Sequence, residues 1–213
     1  MRMRKLKWAH DLLLEADVVV QTPQSQAGNW KQLLNCHELR VEIGSGKGDY
    51  WVGMAQLNPD QGWVGVEKNE SAAGLSVRKS QESEALSNIR FIWGDAEAIE
   101  TWFAPHEVDV IHLNFSDPWP KRRTTKRRLS NGRFLKKYEQ VLSEQGQIIM
   151  KTDNSSLFEY SLIEFELEGW KLQEVSVDFR RETHDEDVIT EYEQRFMSKG
   201  QPIYRAIWSV PNK

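Results

Sequence analysis

The stretch VEIGSGKGDY (residues 41–50) decides the fold, because it sets a glycine loop between a strand and a helix. The run LRVEI (39–43) is typical of a buried strand, and YWVGMAQLN (50–58) can form an amphipathic helix. Gly44 and Gly46 allow the backbone to turn sharply and to approach a ligand closely, because no Cβ intervenes. A strand, a glycine loop and a helix in this order predict a ligand-binding turn at the end of a parallel strand.

The same alternation of strands and helices continues along the chain. Strand-like runs recur at 62–67, 89–93, 108–115, 146–152, 170–179 and 203–210. Helix-like runs lie at 69–86, 94–103, 132–143, 156–169 and 189–200. This alternation predicts an α/β fold with a mostly parallel sheet and helices on both faces. The last strands depart from the regular pattern, which predicts an antiparallel end to the sheet.

The chain has 213 residues, a length that suits one large α/β domain. We expect residues 39–213 to form that domain and residues 1–38 to be a basic, partly disordered N-terminal segment. Cys36 is the one cysteine, which excludes an intramolecular disulfide and suits a reducing cytoplasm. The five histidines lack metal-ligand spacing, so no metal site is expected. No apolar run is long enough to cross a bilayer, and no membrane association is expected.

Acidic residues stand at the ends of the first three predicted strands. The dinucleotide fingerprint G-x-G-x-x-G needs a glycine where this chain has Asp49. Glu42 and Asp49 beside the loop also disfavour a pyrophosphate, and with it a nicotinamide dehydrogenase. Glu67 ends the second strand, where an acid accepts hydrogen bonds from ribose hydroxyls, and Asp95 follows the third, where an adenine would lie. Both acids are also typical helix N-caps, and that alternative stays open.

The stretch NFSDPWPKRRTTKRRLS (114–130) follows the fourth predicted strand. Asp117 can accept hydrogen bonds from a base edge, and Trp119 can stack on a base. Six cations lie between Lys121 and Arg128, although the net charge of the whole chain is −4. Such a local run can contact phosphates. A core tryptophan, a turn aspartate and a solvated charge run form the structural alternative.

These motifs resemble two nested families. The glycine loop with its three acids resembles the class I S-adenosylmethionine-dependent methyltransferases. More specifically, VEIGSGKG, NFSDPWPKRR, KTDN and TEYEQRF resemble the bacterial tRNA (guanine-N7-)-methyltransferases of the TrmB type, nearly end to end. This resemblance implies a Rossmann-like, mostly parallel seven-stranded sheet with an antiparallel last strand and helices on both faces.

The resemblance also implies an activity and a set of site residues. The activity is transfer of a methyl group from S-adenosylmethionine to N7 of a tRNA guanine, at position 46 of the variable loop. The implied cofactor contacts are Glu42, Gly44, Gly46, Glu67, Asp95 and Asp117, and Asp117 is also the implied catalytic residue. The implied substrate contacts are Lys121, Asp153, Thr190, Glu191, Tyr192 and Glu193. The implied RNA contacts are Arg123, Thr124, Thr125, Lys126, Arg127 and Arg128, where two threonines interrupt the basic run. No metal is implied, tRNA is the implied partner, and both a monomer and a homodimer stay open.

Two other functions compete with this one. The sequence SDPWP (116–120) is similar to the Asp/Asn-Pro-Pro-aromatic motifs of enzymes that methylate exocyclic amines. A non-catalytic RNA-binding module on the same fold is the second, and the intact glycine loop weighs against it. The segment from Thr190 to Glu193 could also be the start of a capped amphipathic helix.

Overall fold

The computed structural model describes residues 5–83 and 86–211, and its seven strands form one sheet. The strands are β1 (Glu38–Ile43), β2 (Gln61–Glu67), β3 (Ile89–Trp93), β4 (Val108–Asn114), β5 (Leu142–Thr152), β6 (Lys171–Ser176) and β7 (Tyr204–Ser209). Their order across the sheet is β3-β2-β1-β4-β5-β7-β6. Strands β1 to β5 are parallel, and β7 lies antiparallel between β5 and β6. The predicted fold class, with its antiparallel last strand, is confirmed.

The helices mostly follow the strands, and several begin at a side-chain cap. They are α1 (Trp8–Glu15), α2 (Trp30–Leu33), α3 (Asp49–Leu57), α4 (Glu70–Glu82), α5 (Ile99–Trp102), α6 (Gly132–Val141), α7 (Ser155–Leu167) and α8 (Glu191–Met197). The side chains of Asn69, Asn131, Asn154 and Thr190 each accept a hydrogen bond from a backbone N–H of the helix that follows. These caps satisfy donors that have no partner inside the helix, which fixes where each helix begins.

Several elements are shorter than the sequence pattern predicts, and the helices predicted over 69–86 and 189–200 are Glu70–Glu82 and Glu191–Met197. Residues 94–103 form a 3-10 turn over Ala96–Ala98 followed by the short helix α5, not one continuous helix. Asp95 caps that 3-10 turn through its own side chain. The predicted strand 170–179 ends at Ser176, because the chain enters a 3-10 turn at Phe179–Arg181.

The core lies on both faces of the sheet. Trp51 and Trp63 belong to the cluster beneath α1, α3 and α4. Phe134, Phe165 and Trp208 belong to the larger cluster beneath α6 and α7. Both tryptophans of the first cluster and Trp208 of the second are 1% exposed or less, so much of the high tryptophan content serves packing.

The N-terminal segment packs against the domain wherever the structure describes it. Helix α1 packs against α4 and buries Ala9 and Leu13 completely. Val19 forms a parallel bridge with Phe91 on the edge strand β3. The cations Arg2 and Arg4, which contribute to the basic character predicted for residues 1–38, lie outside the described residues. Within the described ranges, none of the helices combines the length and the apolar character that a bilayer span requires.

Because β1 to β5 are parallel, their carboxyl ends meet at one edge of the sheet. From β1 the chain continues to β2 and β3 on one side of the sheet, and from β4 it continues to β5 on the other side. The gap between β1 and β4 is therefore the switch in strand order. Ligands bind at such a switch in open α/β sheets.

Candidate active site

A cavity of about 300 Å³ opens at the carboxyl ends of β1 and β4. Its lining comes from the glycine loop, the start of α3, the end of β4 and the start of α8. The lining residues are Glu42, Gly44, Ser45, Gly46, Lys47, Asp49, Tyr50, Asn114, Phe115, Thr190, Glu191, Tyr192 and Arg195. The cavity therefore brings together three regions that are far apart in sequence.

The glycine loop forms the floor of the cavity with backbone atoms. Gly44 and Gly46 have φ angles of 77° and 58°, a region that is strained for any residue with a Cβ. The Gly44 N–H donates to the Val66 carbonyl at 2.8 Å, which ties the loop to β2. A cradle of bare backbone leaves room for a ligand to approach closely, as the sequence predicts.

Glu42 and Asn114 form one wall of the cavity. The Asn114 amide donates to Glu42 Oε1 at 2.9 Å, and the two residues are 2% and 7% exposed. Among the described residues, Glu42 Oε2 and Asn114 Oδ1 are buried without a hydrogen-bond partner. Burial raises the pKa of Glu42 to about 7. Unpaired buried oxygens are costly, so this wall suits a ligand that brings a cation or several N–H donors.

Glu67 and Asp95 lie at the ends of β2 and β3, where the sequence predicts them, but neither lines the cavity. Glu67 accepts hydrogen bonds from the backbone N–H groups of Gly46 at 3.1 Å and Asn69 at 2.7 Å. Asp95 is exposed, caps the following turn and lies 3.5 Å from Lys68. Each carboxylate oxygen still has a free lone pair, so both acids can accept from a ligand as well. Capping and ligand binding are compatible at these positions.

The motif after β4 is held in an unusual backbone conformation. Phe115 and Trp119 have φ angles of 50° and 40°, which few non-glycine residues adopt. Arg128 supports this conformation: it donates to the carbonyls of Pro118 at 2.8 Å and Trp119 at 3.4 Å. Its guanidinium also lies 4.2 Å from the ring centroid of Tyr160. The motif is therefore ordered by one cation of its own basic run, and Asp117 is left exposed at its tip.

The basic run separates into one buried and several exposed cations. Arg128 is 7% exposed, whereas Lys121, Arg122, Arg123, Lys126 and Arg127 are all exposed. The hydroxyls of Thr124 and Thr125 donate to the carbonyls of Lys121 and Arg122, which stabilises the 3-10 turn Arg122–Arg127. The two threonines that interrupt the charges thus hold the exposed cations in place.

The start of α8 closes the cavity on the side opposite the glycine loop. Thr190 caps the helix by accepting the Glu193 N–H at 3.0 Å. The Tyr192 ring lies 5.1 Å from that of Phe115, and Glu191 lies 3.4 Å from Lys47 across the cavity mouth. Partial burial raises the pKa of Tyr192, and so do the nearby charges of Asp153 and Asp117. The implied catalytic residue Asp117 and the implied substrate contacts Asp153 and Tyr192 therefore lie close together.

Glu193 differs from its neighbours, because its side chain is fully buried. Arg180 donates to it at 2.6 Å, and Lys151 lies 3.4 Å away. Both cations also contact Asp187, Arg180 at 2.5 Å. The implied substrate contact Glu193 thus sits in an ion cluster that sequence reasoning missed. A lysine inside the apolar run GQIIMKT (146–152) was the available signal.

Sequence reasoning also missed several residues of the cavity wall. Tyr50 and Arg195 line the cavity, as do Asn114 and Phe115, which stand just before Asp117. Asn114 and Phe115 lie within the quoted motif and could have been found there. Arg195 belongs to α8 and lies within the quoted stretch TEYEQRF, so it too could have been found there.

The chain is similar to known proteins over nearly its whole length. Residues 37–206 match the model of the family Methyltransf_4, described as "Putative methyltransferase". A tRNA (guanine-N(7)-)-methyltransferase of Oceanobacillus iheyensis is 44% identical over 207 residues, which cover 96% of this chain and 97% of the relative. One of Bacillus subtilis is 44% identical over 208 residues, covering 97% of each chain.

A solved structure has the same fold. The crystal structure of a SAM-dependent methyltransferase from Aquifex aeolicus superposes with a TM-score of 0.58 at 12% identity, covering 97% of this chain and 100% of that one. The family model matches most of the chain, and the 44% identity to these relatives extends over nearly its full length. The chain therefore belongs to the tRNA (guanine-N(7)-)-methyltransferase family.

Proposed function

We propose that this protein transfers the methyl group of S-adenosylmethionine to N7 of a guanine in tRNA, at position 46 of the variable loop. The observation that carries the proposal is the cavity itself, which is lined by Glu42, a buried carboxyl with one unpaired oxygen, and by the Phe115–Tyr192 aromatic pair. The exposed cations of residues 121–127 follow β4, the strand whose last residue, Asn114, lines the cavity. The names of the relatives point to the same reaction.

The residues of the glycine loop side fit the proposed cofactor. Glu42 Oε2 and Asn114 Oδ1 can accept from the ammonium group of a methionine moiety, which would supply the partners that both oxygens lack. Glu67 can accept from ribose hydroxyls, and Asp95 from an adenine amino group. Gly44 and Gly46 permit close contact with the backbone. When bound, the cofactor supplies a methyl group already activated by a sulfonium.

The opposite side of the cavity suits a purine. Phe115 and Tyr192 offer ring faces for stacking, a contribution of about 1–3 kcal/mol per base by alanine substitution. Asp117 and Asp153 can accept hydrogen bonds from the N–H groups of guanine. Burial raises the pKa of Asp153, so a donor from the base would also favour its ionised form. Thr190, Glu191 and Lys121 are further proposed contacts at the rim.

The proposed chemistry needs positioning more than proton transfer. Guanine N7 carries no hydrogen, and its lone pair is free to attack without a general base. The product ring gains a positive charge, which the carboxylates of Asp117 and Asp153 favour electrostatically. Asp117 is therefore proposed to act by orienting the base and by stabilising charge, not as a base.

The exposed cations extend the cavity towards a nucleic-acid backbone. Arg123, Lys126 and Arg127 each can neutralise a phosphate, and Thr124 and Thr125 hold the turn that presents them. Arg127 lies 5.0 Å from the Trp119 ring, which keeps it close to the motif. We infer a tRNA partner and a cytoplasmic location from these features and from the single cysteine.

One experiment tests the proposal and separates it from its rival. The protein is incubated with unmodified tRNA and S-adenosylmethionine labelled in the methyl group, and the nucleosides are then identified by mass spectrometry. Labelled 7-methylguanosine, mapped to the variable loop, is the expected product. Label on an exocyclic amine would replace the proposal with the rival enzyme class. No label, together with no binding of S-adenosylhomocysteine, would leave a non-catalytic RNA-binding module.

A further inference from the structure

Four charged side chains are buried together beside the cavity: Lys151, Arg180, Asp187 and Glu193, called here the ion cluster. Lys151 and Glu193 are fully buried, and the Arg180 side chain is 4% exposed. Each cation contacts both acids. Two positive and two negative charges balance, as burial of charge requires. Burial alone would raise the pKa of Asp187. The neighbouring cations Lys151 and Arg180 have the larger, opposite effect, so the pKa of Asp187 is lowered.

A chain of hydrogen bonds connects the ion cluster to the cavity wall. Tyr50, which lines the cavity, donates to Asp187 at 3.0 Å. Arg40 lies 3.3 Å from His112 Nε2, and since arginine only donates, Nε2 must accept. Burial and the neighbouring cations lower the pKa of His112, so the ring is neutral and Nδ1–H points at the Tyr50 hydroxyl, 3.3 Å away. The bonds therefore all run in one direction, towards Asp187.

The two acids of the ion cluster flank the segment that closes the cavity. Asp187 precedes and Glu193 follows the residues Val188 to Tyr192, so both ends of this segment are tied to β5 through Lys151. The Lys151 carbonyl also accepts the Phe115 N–H at 2.8 Å. One residue of β5 thus fixes both Phe115 and the segment that carries Tyr192.

We propose that the ion cluster is a positioning device: it holds residues 188–192 against the cavity so that Tyr192 and Phe115 meet the target guanine, and Glu193 acts there without touching the base. This inference rests on the proposed function, because it assumes that tRNA guanine is the ligand of that side. It assigns Lys151, Arg180, Asp187 and Glu193 as positioning residues for tRNA, not for the cofactor.

The first variants change the cluster and its loop separately. Asp187→Asn keeps the shape and removes one charge, and Asp185→Asn, an exposed acid of the same loop, is the matched control. Gly53→Ala leaves all charges intact, but its Cβ would lie 2.9 Å from Val188 Cγ1 and push the segment away from α3. We expect Asp187→Asn and Gly53→Ala to raise the KM for tRNA about tenfold or more. The control should match the wild type, and all variants should keep the Kd for S-adenosylhomocysteine.

A double-mutant cycle distinguishes positioning from general stability. Tyr192→Ala is combined with Gly53→Ala and with Asp187→Asn, and the KM for tRNA and the melting temperature are measured for each. If the cluster acts through Tyr192, its variants add little to the loss already caused by Tyr192→Ala. Fully additive effects on KM would overturn the inference, as would an unchanged KM in Gly53→Ala. If Asp187→Asn fails to fold, Glu193→Gln, which also keeps the shape and removes one charge of the cluster, takes its place in the cycle.

Failure of the proposed function has a different signature. In that case the wild-type protein itself forms no 7-methylguanosine in tRNA, and no KM for tRNA exists to compare. A wild-type protein that works while the cycle is additive would reject the positioning role alone.

Discussion

Asn114 donates a 2.9 Å hydrogen bond to Glu42 across two neighbouring parallel strands, and the far oxygen of each side chain is buried without a partner among the described residues. The pair therefore has one internal bond and two free acceptor oxygens, on two residues that line the cavity. Both strands end here, at the switch in strand order, so the arrangement follows from the sheet topology.

The pH dependence of cofactor binding should follow Glu42. Because burial raises its pKa to about 7, the carboxyl is mostly protonated below that pH and ionised above it in the free protein. A ligand that brings an ammonium group binds the ionised form. The affinity for S-adenosylhomocysteine should rise with pH up to about 7 and then level off, in calorimetry from about pH 5.5 to about pH 8.5. Glu42→Gln should bind weakly with no such rise; equal pH profiles in both proteins would contradict this role.

The same raised pKa predicts how the stability of the ligand-free protein varies with pH. The folded state favours the protonated carboxyl, so the stabilisation is complete below the ordinary value of 4.5 and is lost as the pH rises through about 7. Relative to Glu42→Gln, the wild type should lose about 3 kcal/mol of unfolding free energy over that range. Urea unfolding of both proteins at several pH values measures the difference. A constant difference would show that folding does not raise the pKa of Glu42.

Asp117 should be needed for turnover and dispensable for folding. It is exposed at the tip of the motif, so Asp117→Ala should leave the melting temperature unchanged. We expect kcat to fall by about a hundredfold or more, because a charge-stabilising group is removed, while the Kd for tRNA changes little. Asp60→Ala is the control, because Asp60 is an exposed acid just before β2, at the end of the sheet away from the cavity. Normal turnover in Asp117→Ala would remove this residue from the mechanism.

The glycine loop can be tested with a matched pair of glycines. Gly46 and Gly200 both have positive φ, 58° and 69°, and a Cβ at either position meets no heavy atom closer than 3.9 Å. Alanine should therefore cost a similar amount of stability at both positions, about 1–2 kcal/mol. Only Gly46→Ala should weaken binding of S-adenosylhomocysteine, as measured by calorimetry. Equal affinities in the two variants would mean that the ligand does not approach the loop backbone.

The basic run should give two distinct phenotypes. Arg128→Ala removes two hydrogen bonds to the carbonyls of Pro118 and Trp119, and should cost about 2 kcal/mol of stability with no change in the salt slope of tRNA binding. Lys126→Ala should leave stability unchanged and reduce that log–log slope by roughly 0.7, because one phosphate is no longer neutralised. Thermal melts and tRNA binding at several salt concentrations separate the two effects. A reduced slope in Arg128→Ala would place that residue on phosphate instead.

Several site residues could be predicted from sequence because their signals are local. Gly44, Gly46 and Glu67 are defined by their place at a strand end. Asp117 belongs to a motif whose prolines and cations are its immediate neighbours. Other assignments required contacts between distant residues. Arg128 looks like its exposed neighbours in the sequence, and only its tertiary contacts, the hydrogen bonds to Pro118 and Trp119 and the packing on Tyr160, distinguish it.

The sequence by itself determined the alternation of strands and helices, the glycine loop, the motif after β4 and the resemblance to a methyltransferase family, because each is encoded in adjacent residues. The tertiary structure decided which side chains meet. From its own segment, Glu193 is predicted to contact the base. In the structure it instead contacts Arg180, 13 residues earlier, and Lys151, 42 residues earlier. Such contacts between distant residues depend on the strand register and on the paths of the loops. The local periodicity of the sequence does not contain that information.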